Sequence, residues 1–139
     1  MCRKYLITAL VYAGIAMVWG VFYREFTKFM GFSGETALSV IHVHYFALGT
    51  FFFLLLALLE RAFGFSGGKG DRAGLILYHA GLNIAWLGFF LRGLAQVSGS
   101  ALTRGMDAAI AGVSGLGHIS LAAGMILLLW KVQAAAAGK

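Results

Sequence analysis

Residues 39–56 read SVIHVHYFALGTFFFLLL, an apolar run that contains two of the four histidines of the chain. Its length approaches the about 20 residues that an α-helix needs to cross the hydrocarbon core of a bilayer. Polar groups inside that core are costly and usually serve a function. The run therefore predicts a membrane-spanning helix, and its histidines, His42 and His44, are the first candidates for a functional site.

The rest of the chain has the composition of an integral membrane protein. Of the 139 residues, 60% are hydrophobic and 12% are charged, and a soluble domain carries about twice that charged fraction. Four apolar segments are long enough to span a bilayer: residues 5–23, 37–59, 73–97 and 108–130. Because the loops between them are short, we predict one domain over residues 1–139, an all-α bundle of four transmembrane helices.

Basic residues are distributed unevenly between the two ends of such a bundle. With four spans, both termini and the second loop share one side, which holds Arg3, Lys4, Arg61, Lys69, Arg72, Lys131 and Lys139. The opposite side holds Arg24, Lys28, Arg92 and Arg104. Since cytoplasmic loops carry the excess of Lys and Arg, both termini are predicted in the cytoplasm. The net charge of +6 then follows from topology and anionic headgroups, and it requires no nucleic-acid partner.

The spacing of the two histidines decides how they can act. Residues two apart on an α-helix point about 200° from each other, so His42 and His44 face opposite sides and need different partners. One interpretation is that they hydrogen-bond backbone carbonyls or serine and help to pack helices. Two histidines in one turn, with His118 and His79 on other helices, favour a ligand role instead. Depth along the spans places His42, His44 and His118 in one outer layer and His79 in the inner half.

Haem iron suits a pair of opposed imidazoles, since the porphyrin is apolar and bis-histidine ligation gives a six-coordinate iron. Zinc usually takes four ligands, often Cys or carboxylate, and none lies beside these histidines. Copper with two or three histidines stays open. The single cysteine, Cys2, belongs to no CxxCH motif, so a haem would be held without thioether links.

Two further features fit a macrocycle, each with a simpler interpretation. Small residues on the fourth span admit either a flat ring or a closely packed helix; they are Gly112, Gly115, Gly117 and Gly124, around His118. Arginines at the outer helix ends can pair with haem propionates or reach lipid phosphates; they are Arg24, Arg92 and Arg104.

Residues 42–53, HVHYFALGTFFF, resemble the helix of haem–copper oxidase subunit I that carries a His-x-His pair followed by Tyr, a small residue and Gly. In that family the two histidines serve different haems, one on each side of the helix. The family's subunit consists of three four-helix units around a pseudo-threefold axis. The resemblance implies that His42 and His44 are metal ligands and that this chain corresponds to one four-helix unit. The oxidases also need a copper site with three histidines, and no second histidine cluster with that spacing occurs here.

The sequence is also similar to a bacterial family of small four-span membrane proteins of unknown function. The similarity lies in residues 21–44, VFYREFTKFMGFSGETALSVIHVH, and residues 92–119, RGLAQVSGSALTRGMDAAIAGVSGLGHI. It implies a multi-pass protein of the bacterial cytoplasmic (inner) membrane and brings no activity.

Together these features lead us to expect a membrane-embedded b-type haem protein with bis-histidine ligation, serving electron transfer or haem handling, with quinol as a candidate donor. The alternatives are a minimal oxidase or nitric oxide reductase-like enzyme and a copper-binding transport component. Opposed histidines need partners on two sides, so we expect a homotrimer in which His42 of one protomer and His44 of the next share each haem. The alternative is a pair inside one protomer, most simply His44 with His118.

Overall fold

Long apolar runs without proline form four helices in the computed structural model of the chain, because nothing in them interrupts the backbone hydrogen bonds. The helices are α1 (Cys2–Phe29), α2 (Leu38–Phe63), α3 (Lys69–Ser98) and α4 (Arg104–Ala137). Each is long and apolar enough to cross a membrane. The prediction of four helices long and apolar enough to span is confirmed, and all four run past the C-terminal ends of the predicted spans.

The structure describes residues 1–138, without the side chain of Lys69. Two basic groups that entered the charge argument, the Lys69 side chain and Lys139, therefore lie outside the described part of the chain.

Local signals in the sequence set the helix ends. Gly64 and Gly99 take left-handed backbone conformations and end α2 and α3. The Asp71 carboxylate accepts hydrogen bonds from the backbone of Gly67 and Gly68 before the first turn of α3. Thr103 caps α4 by accepting from a backbone N–H of its first turn. Capping groups of this kind satisfy donors that the helix itself leaves unpaired.

The bundle consists of two close helix pairs. The backbones of α3 and α4 touch through glycines, and a Cβ at Gly124 would lie 2.5 Å from the Tyr78 amide nitrogen. In the other pair, α1 packs along α2 through stacked rings such as Tyr12 and Phe53. By contrast, α1 meets α3 mainly through long aromatic side chains, including Trp19, whose ring lies 5.3 Å from that of Trp86. Grooves therefore remain between α1 and α3.

The helices alternate in direction. At one end, the Met1 amine lies 3.7 Å from the Glu60 carboxylate, and the Tyr5 hydroxyl bonds Ser66 in the second loop. At the other end, the first loop bonds α3, where the Ala37 N–H donates to Gln96. The N-terminus and the second loop thus share one end, as a four-span topology requires.

Helix α2 changes its winding just after the histidine pair. Leu38–His44 is α-helical, Tyr45–Phe51 forms a π-helix, and Phe52–Phe63 is α-helical again. The Tyr78 hydroxyl donates to the Leu48 carbonyl within this segment at 2.7 Å. At Gly49 a Cβ would lie 2.6 Å from the Tyr12 ring, so glycine is required there. Single π turns inside α-helices are frequent at functional sites.

Candidate functional site

His44 of α2 and His118 of α4 lie next to each other. Their ring centroids are 6.2 Å apart, with the planes at 88°. Phe89 of α3 packs edge-on against both rings, at 4.8 Å from His44 and 5.7 Å from His118. Three helices thus bring two of the four histidines together, in the single layer that their depth predicted.

Both rings present the same nitrogen. The His44 Nδ1 lies 3.2 Å from the Val40 carbonyl, and the His118 Nδ1 lies 2.7 Å from the Ser114 carbonyl. A carbonyl only accepts hydrogen bonds, so Nδ1 carries the proton and the neutral ring keeps its lone pair at Nε2. Neither Nε2 has a hydrogen-bond partner within residues 1–138. Metal-binding histidines commonly have this arrangement, with the second nitrogen donating to a carbonyl.

His42 faces the other way. Its ring lies nearly parallel to that of Tyr23 in α1, at 6.3 Å, and it packs over Gly20. Its Nδ1 is buried and has no hydrogen-bond partner in the described part of the chain. His42 and His44 therefore contact different neighbours, as their spacing predicts.

The glycines of α4 fall into two groups, which match the two interpretations of the sequence: close helix packing and an open groove. Gly117 and Gly124 press against the α3 backbone, so they serve close helix packing. Gly112 and Gly115 have nothing within 4 Å of an added Cβ. Exposed small residues also flank His118 along the same helix face; they are Ala108, Ala111, Gly115 and Ala122. His118 therefore lies on an exposed strip of α4 that contains several small residues.

The three arginines differ in position. Arg92 donates to the Asp107 carboxylate at 2.7 Å, and it lies one turn beyond Phe89 on α3. Arg24 is largely exposed and lies 3.8 Å from Glu25. Arg104 begins α4, roughly 21 Å from His118 along the helix axis at about 1.5 Å per residue. Arg92 is thus one helical turn from a side chain that contacts both rings of the His44–His118 pair.

The fourth histidine, His79 of α3, belongs to a polar cluster that the sequence analysis did not identify. Its Nδ1 lies 2.7 Å from the Tyr12 hydroxyl, and its ring stacks near Phe53 at 4.9 Å. Asn83 bonds the Tyr12 hydroxyl at 3.4 Å and accepts from the Tyr45 hydroxyl at 3.0 Å. Three helices contribute to this cluster, which we call the inner cluster: Tyr12, Tyr45, His79 and Asn83.

The hydrogen bonds of the inner cluster fix the tautomer of His79. The Asn83 amide nitrogen donates to the His79 carbonyl at 2.7 Å, which orients the amide. The same nitrogen also donates to the Tyr12 oxygen, so the Tyr12 proton goes to the remaining partner, His79 Nδ1. Nε2 then carries the proton of the neutral ring. His79 thus presents an N–H donor at Nε2, where His44 and His118 present a lone pair.

One signal in the sequence pointed to this cluster. Asn83 is a polar residue near the middle of an apolar span, and such residues mark sites by default. Its partners Tyr12 and Tyr45 look like ordinary aromatic residues of a membrane helix. Their separations of 71 and 38 positions from Asn83 leave no local pattern to recognise.

Within residues 1–138, no three side chains of His, Cys, Asp or Glu come together as a metal-binding group. The described chain therefore offers no closed metal cage of the zinc-finger type, which needs four ligands. The two imidazoles that it does bring together are those of His44 and His118.

Comparison with known proteins identifies one family. The family described as Protein of unknown function (DUF2871) matches residues 2–135. No curated protein and no solved structure matches the chain.

Proposed function

The chain belongs to this family of unknown function, and from its histidine pair we propose that it is a membrane-embedded b-type haem protein for electron transfer or haem handling. His44 and His118 are the proposed axial ligands. The observation that carries the proposal is the 6.2 Å separation of their ring centroids. Two imidazoles that bind one metal ion from opposite sides, each at about 2 Å, hold their centroids roughly 6 Å apart.

The protonation of the pair supports the same conclusion. Both Nε2 atoms keep a lone pair because Nδ1 donates to a carbonyl in the preceding turn. These bonds also fix the ring orientations, so ligand binding requires little further ordering. Haem iron held by two imidazoles supplies one-electron chemistry without an open coordination position.

The surroundings of the pair are apolar and open on one side. Exposed Gly115 and its small neighbours line the α4 face beside His118. Phe89 packs against both imidazoles, so a macrocycle seated between them requires the Phe89 side chain to move aside. Arg92 is the arginine we assign to a propionate, because its guanidinium can form paired hydrogen bonds with a carboxylate. The described residues thus offer the pair an apolar wall, an open face and one nearby cation.

The within-chain pair is favoured over a haem shared between protomers. A site shared between protomers would need His42 on the outward-facing surface of the helix bundle. Instead, His42 packs on Gly20 and Tyr23 of its own bundle. With both ligands in one chain, the expected homotrimer forms through the lipid-facing surface of the bundle and does not depend on haem ligation. The resemblance of residues 42–53 to the oxidase helix still supports a haem on the His44 side of α2.

The orientation of the protein in the membrane is also part of the proposal. We place both termini in the cytoplasm and the protein in the bacterial inner membrane, on the distribution of Lys and Arg in the sequence. In this orientation the His44–His118 pair lies in the outer half of the bilayer.

Visible spectra of the purified protein test the proposal. We expect the sharp bands of a low-spin haem at one haem per chain, unchanged by carbon monoxide because both axial positions are filled. A shift with carbon monoxide would instead indicate an open iron site, as in an oxidase-like or nitric oxide reductase-like enzyme. A protein that has no Soret band but retains copper would contradict the proposal and support the copper-transport alternative.

A further inference from the structure

Two grooves between α1 and α3 meet at Asn83. The larger measures about 550 Å³ and is lined by residues that include Trp19, Tyr45 and Trp86. The smaller measures about 300 Å³ and is lined by residues that include Thr8, Val11 and His79. Binding sites for small molecules typically measure roughly 300–1,000 Å³ and combine apolar walls with a few polar groups. The two grooves have both properties.

The polar groups lie where a membrane protein otherwise avoids them. Asn83 sits near the middle of α3 and is exposed between the helices. Its amide is paired within the inner cluster, but any polar group of that cluster left open to hydrocarbon at this depth is unfavourable unless a ligand or a partner meets it. Lipid acyl chains offer no hydrogen-bonding group, and phospholipid headgroups remain at the interface. The occupant that fits is a molecule that carries polar atoms to mid-membrane depth.

One donor in the grooves has no acceptor. The tautomer of His79 leaves an N–H at Nε2, and no described residue accepts from it. His79 lines the smaller groove. The Trp86 Nε1–H also lacks a partner within residues 1–138, but it is fully buried and does not face the open groove.

We propose that the grooves bind the ring of a lipophilic quinone. A quinone presents carbonyl oxygens, which only accept hydrogen bonds, so one of them can pair with the His79 Nε2–H in the smaller groove. Its planar ring suits the aromatic residues of α1 and α3, and its apolar tail can leave the grooves toward lipid. The binding rests on the inner cluster and not on His44 or His118, so it goes beyond the haem proposal and can fail independently of it.

Tryptophan fluorescence provides a direct measurement, because Trp19 and Trp86 line the larger groove. The full chain, with Trp130→Phe to remove the third tryptophan, is placed in nanodiscs of phosphatidylcholine. It is then titrated with a benzoquinone that carries a short saturated tail. We expect saturable quenching. His79→Phe keeps a ring beside Phe53 and removes the donor, so we expect about tenfold weaker binding, the effect of one lost hydrogen bond.

A matched pair of valine variants guards against misfolding of the His79 variant. Val11 lines the smaller groove, whereas Val21 of the same helix lines neither groove, and both are exposed (55% and 61%). Val11→Phe should fill the groove and abolish saturable quenching, and Val21→Phe should leave it intact. Quenching that rises linearly with quinone would mean partition into lipid and would overturn the proposal. Equal affinities for the two valine variants would overturn it as well.

Discussion

The two histidine regions of this protein contain the same side chain in opposite tautomers. At the pair that we call the outer pair after its proposed depth, His44 and His118 each donate from Nδ1 to a carbonyl of their own helix, which leaves a lone pair at Nε2. In the inner cluster, His79 receives the Tyr12 proton at Nδ1, which leaves an N–H at Nε2. The first arrangement suits a metal ligand, and the second suits a hydrogen-bond donor.

The difference shows that the neighbour of one imidazole nitrogen decides the chemistry of the other. A backbone carbonyl in the preceding turn is available to almost any helical histidine, so the outer pair needs no special partner. The inner tautomer requires two further side chains from two helices, with the Asn83 amide oriented by the His79 carbonyl. The inner arrangement is therefore the easier of the two to disturb by a single substitution.

The largest effect should come from removing a proposed ligand. His44→Ala or His118→Ala should abolish the low-spin haem spectrum, because each ring supplies one of two axial bonds. His79→Ala should leave the spectrum nearly unchanged, since that histidine belongs to the inner cluster. His42→Ala should also retain the haem when both ligands come from one chain.

The four alanine variants also separate the two ligand models. Haem-to-protein ratios and the mass of the complex in detergent are measured for each variant. Loss of haem in His42→Ala, together with a trimeric mass that depends on haem, would show that protomers share the ligand set. Loss in His79→Ala alone would contradict the division into two regions.

An intermediate effect is expected where the inner cluster is packed most closely. Gly49→Ala would place a methyl group within 2.6 Å of the Tyr12 ring, and overpacking of this kind costs about 1–3 kcal/mol. Displacing Tyr12 would also release His79 Nδ1, so quinone affinity should fall while the haem spectrum persists. Thermal unfolding followed by circular dichroism measures the loss of stability.

Gly14→Ala is the matched control for that substitution. Gly14 lies in α1 with open space around its Cα, and alanine is the better helix former by roughly 0.5–1 kcal/mol. Its melting temperature should stay equal or rise slightly. Similar losses in both variants would mean that the contact between Gly49 and Tyr12 does not hold the inner cluster together.

The proximity of His44 and His118 was largely predictable from the sequence, for physical reasons. Hydrophobic length determines the spans, the helical repeat makes His42 and His44 diverge, and depth along α2 and α4, which run in the same direction, brings His118 level with His44. Each of these arguments uses only positions along individual helices. Which glycines of α4 face α3 was not predictable, because Gly115 and Gly117 differ by two positions and the rotation of the helix decides between them.

The inner cluster could be identified only from the folded structure. It depends on the side-by-side placement of Tyr12, Tyr45 and Asn83 from three helices, and no short-range pattern encodes that placement. The π turn that begins at Tyr45 adds to the difficulty, because it changes the rotation of every later residue of α2. Sequence periodicity assumes a uniform helix and therefore misplaces such residues.

The smallest effect should come from the Arg92–Asp107 ion pair, which decides whether the outer region includes a cation for a propionate. Both side chains are partly exposed, at 37% and 56%, and such pairs contribute about 0–1 kcal/mol to stability. Arg92→Gln and Asp107→Asn should therefore shift the melting temperature by similarly small amounts.

Their effects on haem should differ. If Arg92 pairs with a propionate, Arg92→Gln weakens haem retention, whereas Asp107→Asn frees the guanidinium and keeps or strengthens it. The rate of haem transfer to apomyoglobin measures this difference. Equal rates in the two variants would restrict Arg92 to its ion pair with Asp107 and leave the haem to the two histidines and their apolar surroundings.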